Sequence, residues 1–146
     1  MLALESKLRL ARERKACDAT ISAQIELSKL RLDSSPDACS LGDLYLRAKN
    51  LSAAEVPLRK GLELDPYAFL CHRDLGELQR ATGKTAEATG ELEWVVRYFP
   101  EADSKTYVSL ALAYQAAGKR GEAESAIEKG KRLFPEDPLL IKVSLK

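Results

Sequence analysis

The chain repeats itself in register, and that constrains its fold more than anything else in it. Leu75–Ala88 reads LGELQRATGKTAEA, and Leu110–Ala123, thirty-five residues on, reads LALAYQAAGKRGEA. A third copy, LGDLYLRAKNLSAA, runs from Leu41 to Ala54, thirty-four residues earlier. Pro66, Pro100 and Pro135 each stand twelve residues after the closing alanine of a copy. Self-similarity at this period belongs to stacked arrays. Each unit is too small to hide its apolar face alone and buries it against a neighbour.

The unit reads as two helices. In the last copy Tyr107, Leu110, Ala111 and Tyr114 fall on one helical face. Gly118 can take the left-handed conformation that ends a helix. Ala123, Ala126, Ile127, Gly130 and Leu133 line a face of the second helix, and Pro135 stops it. Gly42, Gly76 and Ala111 on the first helices are small, as are Ala54, Ala88 and Ala123 on the second. The expectation is close approach of the paired axes at these small residues of both helices, where a larger side chain would cost about 1–3 kcal/mol by overpacking.

Three copies in phase resemble the tetratricopeptide repeat. Its motif asks for Trp-x-x-Leu-Gly-x-x-Tyr on the first helix, then Gly at the turn, Ala early on the second helix, an aromatic or Leu, Ala and a final Pro. Ala38, Leu41, Gly42, Tyr45, Ala54, Leu58, Gly61 and Pro66 carry it in the first copy. His72, Leu75, Gly76, Gln79, Gly83, Ala88, Leu92, Val95 and Pro100 carry it in the second. Tyr107, Leu110, Ala111, Tyr114, Gly118, Ala123, Ile127, Gly130 and Pro135 carry it in the third. The resemblance implies an all-α fold: a right-handed superhelical array of three helix-turn-helix units at 35–68, 69–103 and 104–137, with flanking helices at both ends.

Some positions depart from the pattern. Lys49-Asn50 replaces the turn glycine of the first copy, and Asn50 is the residue expected to take the left-handed cap. Ser52 with Glu55 spells a capping box. Pro57 falls in the second turn of its helix and removes a backbone donor. His72 stands where the motif prefers Trp, and is expected to be a satisfied packing residue. Trp94, beside the buried-slot Val95, is read as inter-repeat packing or as an exposed anchor.

The ends break the period. Residues 1–33 offer two apolar stripes, Leu4, Leu8, Ala11 and then Ile21, Ile25, Leu32, separated by RERKACD. They read as one capping helix or a degenerate helix pair. Residues 138–146 follow Asp137, a good cap, and open with Pro138 at a favoured first position. This short helix looks like the start of a truncated fourth repeat. Its Leu139, Leu140, Ile141, Val143 and Leu145 leave packing back, or a homodimer through the terminal helix, as its uses.

The bulk numbers narrow the function. A net charge of +1 gives no field for nucleic acid. No apolar run approaches the ~20 residues of a membrane span, so a cytoplasmic protein is expected. Cys17, Cys39 and Cys71 are scattered, and the one histidine is His72. No metal site and no cofactor are expected, and the odd cysteine count favours free buried thiols. Cys71 and His72 are adjacent in a helix and point about 100° apart, so they do not form a nucleophile–base pair. No catalytic site is expected.

What remains is binding. By the resemblance, fixed positions on the first helices face a concave groove. They include Asp43 and Arg47 in the first repeat, Arg73, Asp74, Glu77 and Arg80 in the second, and Lys105, Ser109, Leu112 and Gln115 in the third. Cys39, Leu70 and Val108 occupy further groove positions. One subclass of the family grips acidic chaperone tails, and its five gripping positions hold Cys39, Asp43, Asp74, Lys105 and Ser109 here. Two carboxylates there would repel such a tail. The expected function is a non-catalytic module that binds a partner's peptide or helix in the groove. The alternative is an accessory or dimerising repeat segment of a larger enzyme or of a secretion or assembly system. In either case the groove charges can also pair among themselves.

Overall fold

The computed structural model describes residues 2–30 and 33–143 and divides the chain into two compact units at Asp65/Pro66. The described residues hold eight helices and no strand.

The first unit contains α1 (Leu2–Ser28), α2 (Ser35–Arg47) and α3 (Leu51–Leu64). α1 is helical straight through RERKACD. It meets α2 at its C-terminal end, where buried Ile25 packs with Leu41 and Leu44, flanked by Ile21 and Tyr45. The side chains of Leu4, Leu8, Ala11 and Cys17, and all of Leu32 and Leu145, lie outside the described residues. Ser34 caps α2 by accepting from the Asp37 amide at 3.3 Å, with Pro36 in the first turn.

The turn between α2 and α3 differs from the sequence expectation. Lys49, not Asn50, takes the left-handed conformation, with φ 58°. Asn50 instead caps α3, its Oδ1 accepting from the Ala53 amide at 3.3 Å. That occupies the position Ser52 would need for a capping box. Ser52 donates to Asn50 Oδ1, and Glu55 pairs with Arg59 at 2.8 Å. Pro57 is buried within an uninterrupted α3.

The second unit contains α4 (Phe69–Ala81), α5 (Thr85–Tyr98), α6 (Ser104–Ala116), α7 (Arg120–Leu133) and the single turn α8 (Pro138–Ile141). Gly83 and Gly118 end α4 and α6 at φ 80° and 74°, as their position in the repeat demands. The core gathers Leu92, Tyr107, Leu110, Ala111, Ile127 and Leu140.

The expected close approach is seen at the glycines. Ala54, Ala88 and Ala123 are fully buried, and Gly42 lies tight against Leu58 and Gly76 against Leu92. A Cβ on Gly42 would stand 2.3 Å from Leu58 Cδ2, and one on Gly76 would stand 2.7 Å from Leu92 Cγ. The glycine makes room for a leucine knob from the paired helix, not for a second small residue.

Cys39 and Cys71 are buried as expected, but each is disulfide-bonded and not a free thiol. An odd count fixes only that one cysteine is left over.

Candidate interaction face on the first helices

The ten groove positions divide sharply by what their side chains already hold. On α2, Asp43 and Arg47 pair with each other one turn apart at 2.7 Å. On α4, Glu77 and Arg80 pair at 3.2 Å. These are the self-pairings that a solvated charged face makes, each of small energetic weight.

Arg73 is different. Its Nε donates to Asp74 Oδ1 at 2.9 Å, and its Nη1 donates to Asp103 Oδ2. Asp74 is 1% exposed, and the Arg73 and Asp103 side chains are 15% and 18% exposed. Burial works against the guanidinium charge, but the Asp74 and Asp103 carboxylates outweigh it and raise the pKa of Arg73. Asp103 has a second role: its Oδ1 accepts from the Lys105 amide at 2.7 Å and so caps α6. Arg73 and Asp74 therefore form a structural tie from α4 to the start of α6. Ser109 is also buried, at 3% exposure.

Lys105 remains exposed, and Leu112 and Gln115 are half-buried. With half-buried Val108 they give α6 an accessible face at spacings of three, four and three residues. Leu70 on α4 is 41% exposed. This face is apolar at its middle and carries one cation at its N-terminal end.

His72 is the satisfied packing residue expected, but its contact with Trp94, and a cleft in the second unit, were not read from the sequence. His72, half-buried on α4, stacks on Trp94 of α5 with ring centroids 3.9 Å apart, and lies 2.5 Å from Glu91. Trp94 thus packs on the first helix of its own repeat, with Tyr98 and Phe99 against it. The available signal was Glu91, Trp94 and Tyr98 at helical spacing opposite the odd histidine. A cleft of about 500 Å³ opens among α5, α6 and α7, lined by Val96, Leu110, Tyr114, Glu122 and Lys129 among others. At its edge Tyr114 Oη donates to Glu93 at 2.5 Å. Burial, then Glu93 and Glu122, push the Tyr114 phenol well above its ordinary value.

Among the described residues no cluster of His, Cys, Asp and Glu could hold a metal ion, and no helix is long and apolar enough to cross a membrane.

Residues 104–137 match the family model for the tetratricopeptide repeat. That segment is a tetratricopeptide repeat. Its two helices are α6 and α7, so the candidate face on α6 lies on the first helix of the repeat. Several solved structures share the fold. A MamA fragment from Desulfovibrio magneticus RS-1 matches with a TM-score of 0.72 at 21% identity, over 90% of this chain and 76% of that one. A crystal structure of MamA gives 0.69 at 22% identity, over 85% and 72%. MamA AMB-1 gives 0.66 at 24% identity, over 77% and 69%. No curated protein matches the chain in sequence. Identities at this level show a common fold, and the tetratricopeptide repeat together with that fold supports a protein-interaction or scaffold module.

Proposed function

We propose that the chain is a non-catalytic protein-interaction module, and that α6 is the centre of the surface that holds a partner's peptide or helix. The observation that carries this reading is the division just described. Asp43 and Arg47 pair within α2, Glu77 and Arg80 pair within α4, and Arg73, Asp74 and Ser109 are committed to the fold. Lys105, Val108 and Leu112 stay accessible along one face of the first helix of a tetratricopeptide repeat. Such a face suits a segment that offers apolar side chains to Val108 and Leu112 and a carboxylate to Lys105. Glu77, Arg80 and Gln115 then belong to a polar rim that sets orientation more than affinity.

The test is Leu112→Glu combined with Lys105→Glu, against Arg97→Glu as an exposed control on α5. Circular dichroism first checks that both variants fold. Partners captured by the wild type and the control should be lost from the double variant. An identical set from all three proteins would remove α6 from the surface.

A second reading rests on α8, where Leu139 and Ile141 are 52% and 62% exposed beside buried Leu140. Two large apolar side chains on one exposed turn suit a second copy or a neighbouring segment of an assembly. Light scattering on Leu139→Ser/Ile141→Ser separates the readings: it changes the mass in solution only if α8 is an interface.

A further inference from the structure

His72 occupies the fourth position of α4, a helix with no polar side chain at its cap. Both nitrogens of its ring face acceptors. Nε2 lies 2.9 Å from the Pro66 carbonyl oxygen, and Nδ1 lies 2.5 Å from Glu91 Oε2. A carbonyl oxygen only accepts, so Nε2 carries a hydrogen. A carboxylate only accepts as well, so a bond from Nδ1 needs the second hydrogen. The form that satisfies both partners is the imidazolium. Its ring lies over the indole of Trp94, 26° from parallel, where a cation is attracted to the aromatic face. The His72 and Glu91 side chains are 14% and 24% exposed, so water screens the pair only in part. The neighbouring cation, Arg73, turns its guanidinium to Asp74 and Asp103. Asp65, exposed, precedes Pro66 in the chain.

We propose that His72 is a protonation-sensitive clamp on the start of α4. The imidazolium ties the Pro66 carbonyl to Glu91 and so holds the segment that leads into the helix, in place of the missing cap. A neutral imidazole has one N–H and can keep Pro66 or Glu91 but not both; the other nitrogen then turns a lone pair toward an acceptor. The sign follows from linkage. A histidine that gains a carboxylate on folding contributes stability that is whole below its ordinary midpoint of about 6.5, and that stability is lost as pH rises through the higher folded midpoint. The first turn of α4 then loosens.

The chain has one histidine and one tryptophan, and they are stacked, so each reports on the other without ambiguity. The unsubstituted protein is titrated by NMR on the His72 ring while Trp94 emission is followed. The expected result is a midpoint above about 6.5, with emission changing over the same range. The protection factor of the His72 amide, bonded to the Ala68 carbonyl at 3.2 Å, should fall across that midpoint. Glu91→Gln should lower the midpoint by about one unit or more, and Glu87→Gln, exposed on the same helix, should leave it in place. A midpoint at or below about 6.5 overturns the clamp, and so does amide protection that is flat across the titration. Both readings need only the wild type, so a Glu91 variant that fails to fold does not remove the test.

Discussion

Lys49 holds a backbone conformation that its counterparts Gly83 and Gly118 adopt without strain. A side chain in the left-handed region costs about 1–2 kcal/mol, and part of any relief is offset by the extra freedom of glycine in the unfolded chain. Lys49→Gly should therefore stabilise the protein by about 0.5–1 kcal/mol, read as a higher urea midpoint with an unchanged slope. Gly76→Ala should do the opposite. Its Cβ would meet Leu92 Cγ at 2.7 Å, and Leu92 is fully buried, so overpacking should cost about 1–3 kcal/mol. The same Ala is native at position 111, where Ile127 stands in the repeat position of Leu58 and Leu92 and shares one core cluster with it. The small residue and its facing knob therefore vary together. Position-by-position reading found the small residues of the first helices and missed their true partner, because the motif lists each position singly while packing acts on pairs.

Of the helices that open the three repeats, α2 is capped by Ser34 and α6 by Asp103, whereas α4 begins after Ala68 with no side-chain cap. Ala68→Ser should add about 1 kcal/mol by supplying the missing acceptor. Asp103→Ala removes the α6 cap and one of the two carboxylates on Arg73 together. It should cost about 2–4 kcal/mol, and a double-mutant cycle with Arg73→Met should show the two residues coupled. The periodic signal made helix pairs and buried faces legible, because every copy repeats them, and the turn glycines in the two copies that carry one. The tie from Arg73 to Asp103 was not legible. Arg73 sits at a position that reads as groove, and only three-dimensional proximity reveals that its charge is already spent. The elements also set an alkaline limit. Tyr107 and Tyr114 have phenol pKa values raised, in both cases by burial first, then by Glu101 for Tyr107 and by Glu93 and Glu122 for Tyr114. Above about pH 10 the unfolded chain releases protons that the folded chain keeps. Stability should fall as pH climbs from there, and Tyr114→Phe should flatten part of that fall in urea melts at pH 8 and pH 11.

In the second unit, stability should spread along the chain by neighbouring helices and not from one centre. α5 packs on α6, α6 on α7, and α8 inserts Leu140 against Tyr107 and Gly130. In such a stack each helix pair is held by the elements packed against it, and α6 and α7 are held by α8. Leu140 is 0% exposed while Leu139 beside it is 52% exposed. Leu140→Ala should therefore cost about 2–4 kcal/mol, and Leu139→Ala should change stability by less than about 0.5 kcal/mol. The size of the difference tests burial; the shape of the melt tests the architecture. Trp94 lies in α5, one helix pair removed from α8, so its emission reports on the middle of the unit while circular dichroism reports on all of it. If coupling between neighbours is finite, Leu140→Ala should let α6 and α7 melt first, and the dichroism midpoint should fall below the Trp94 midpoint. If the two midpoints stay together at the lower value, the unit folds as one cooperative block, and nearest-neighbour stacking is the wrong account of how this sequence is held.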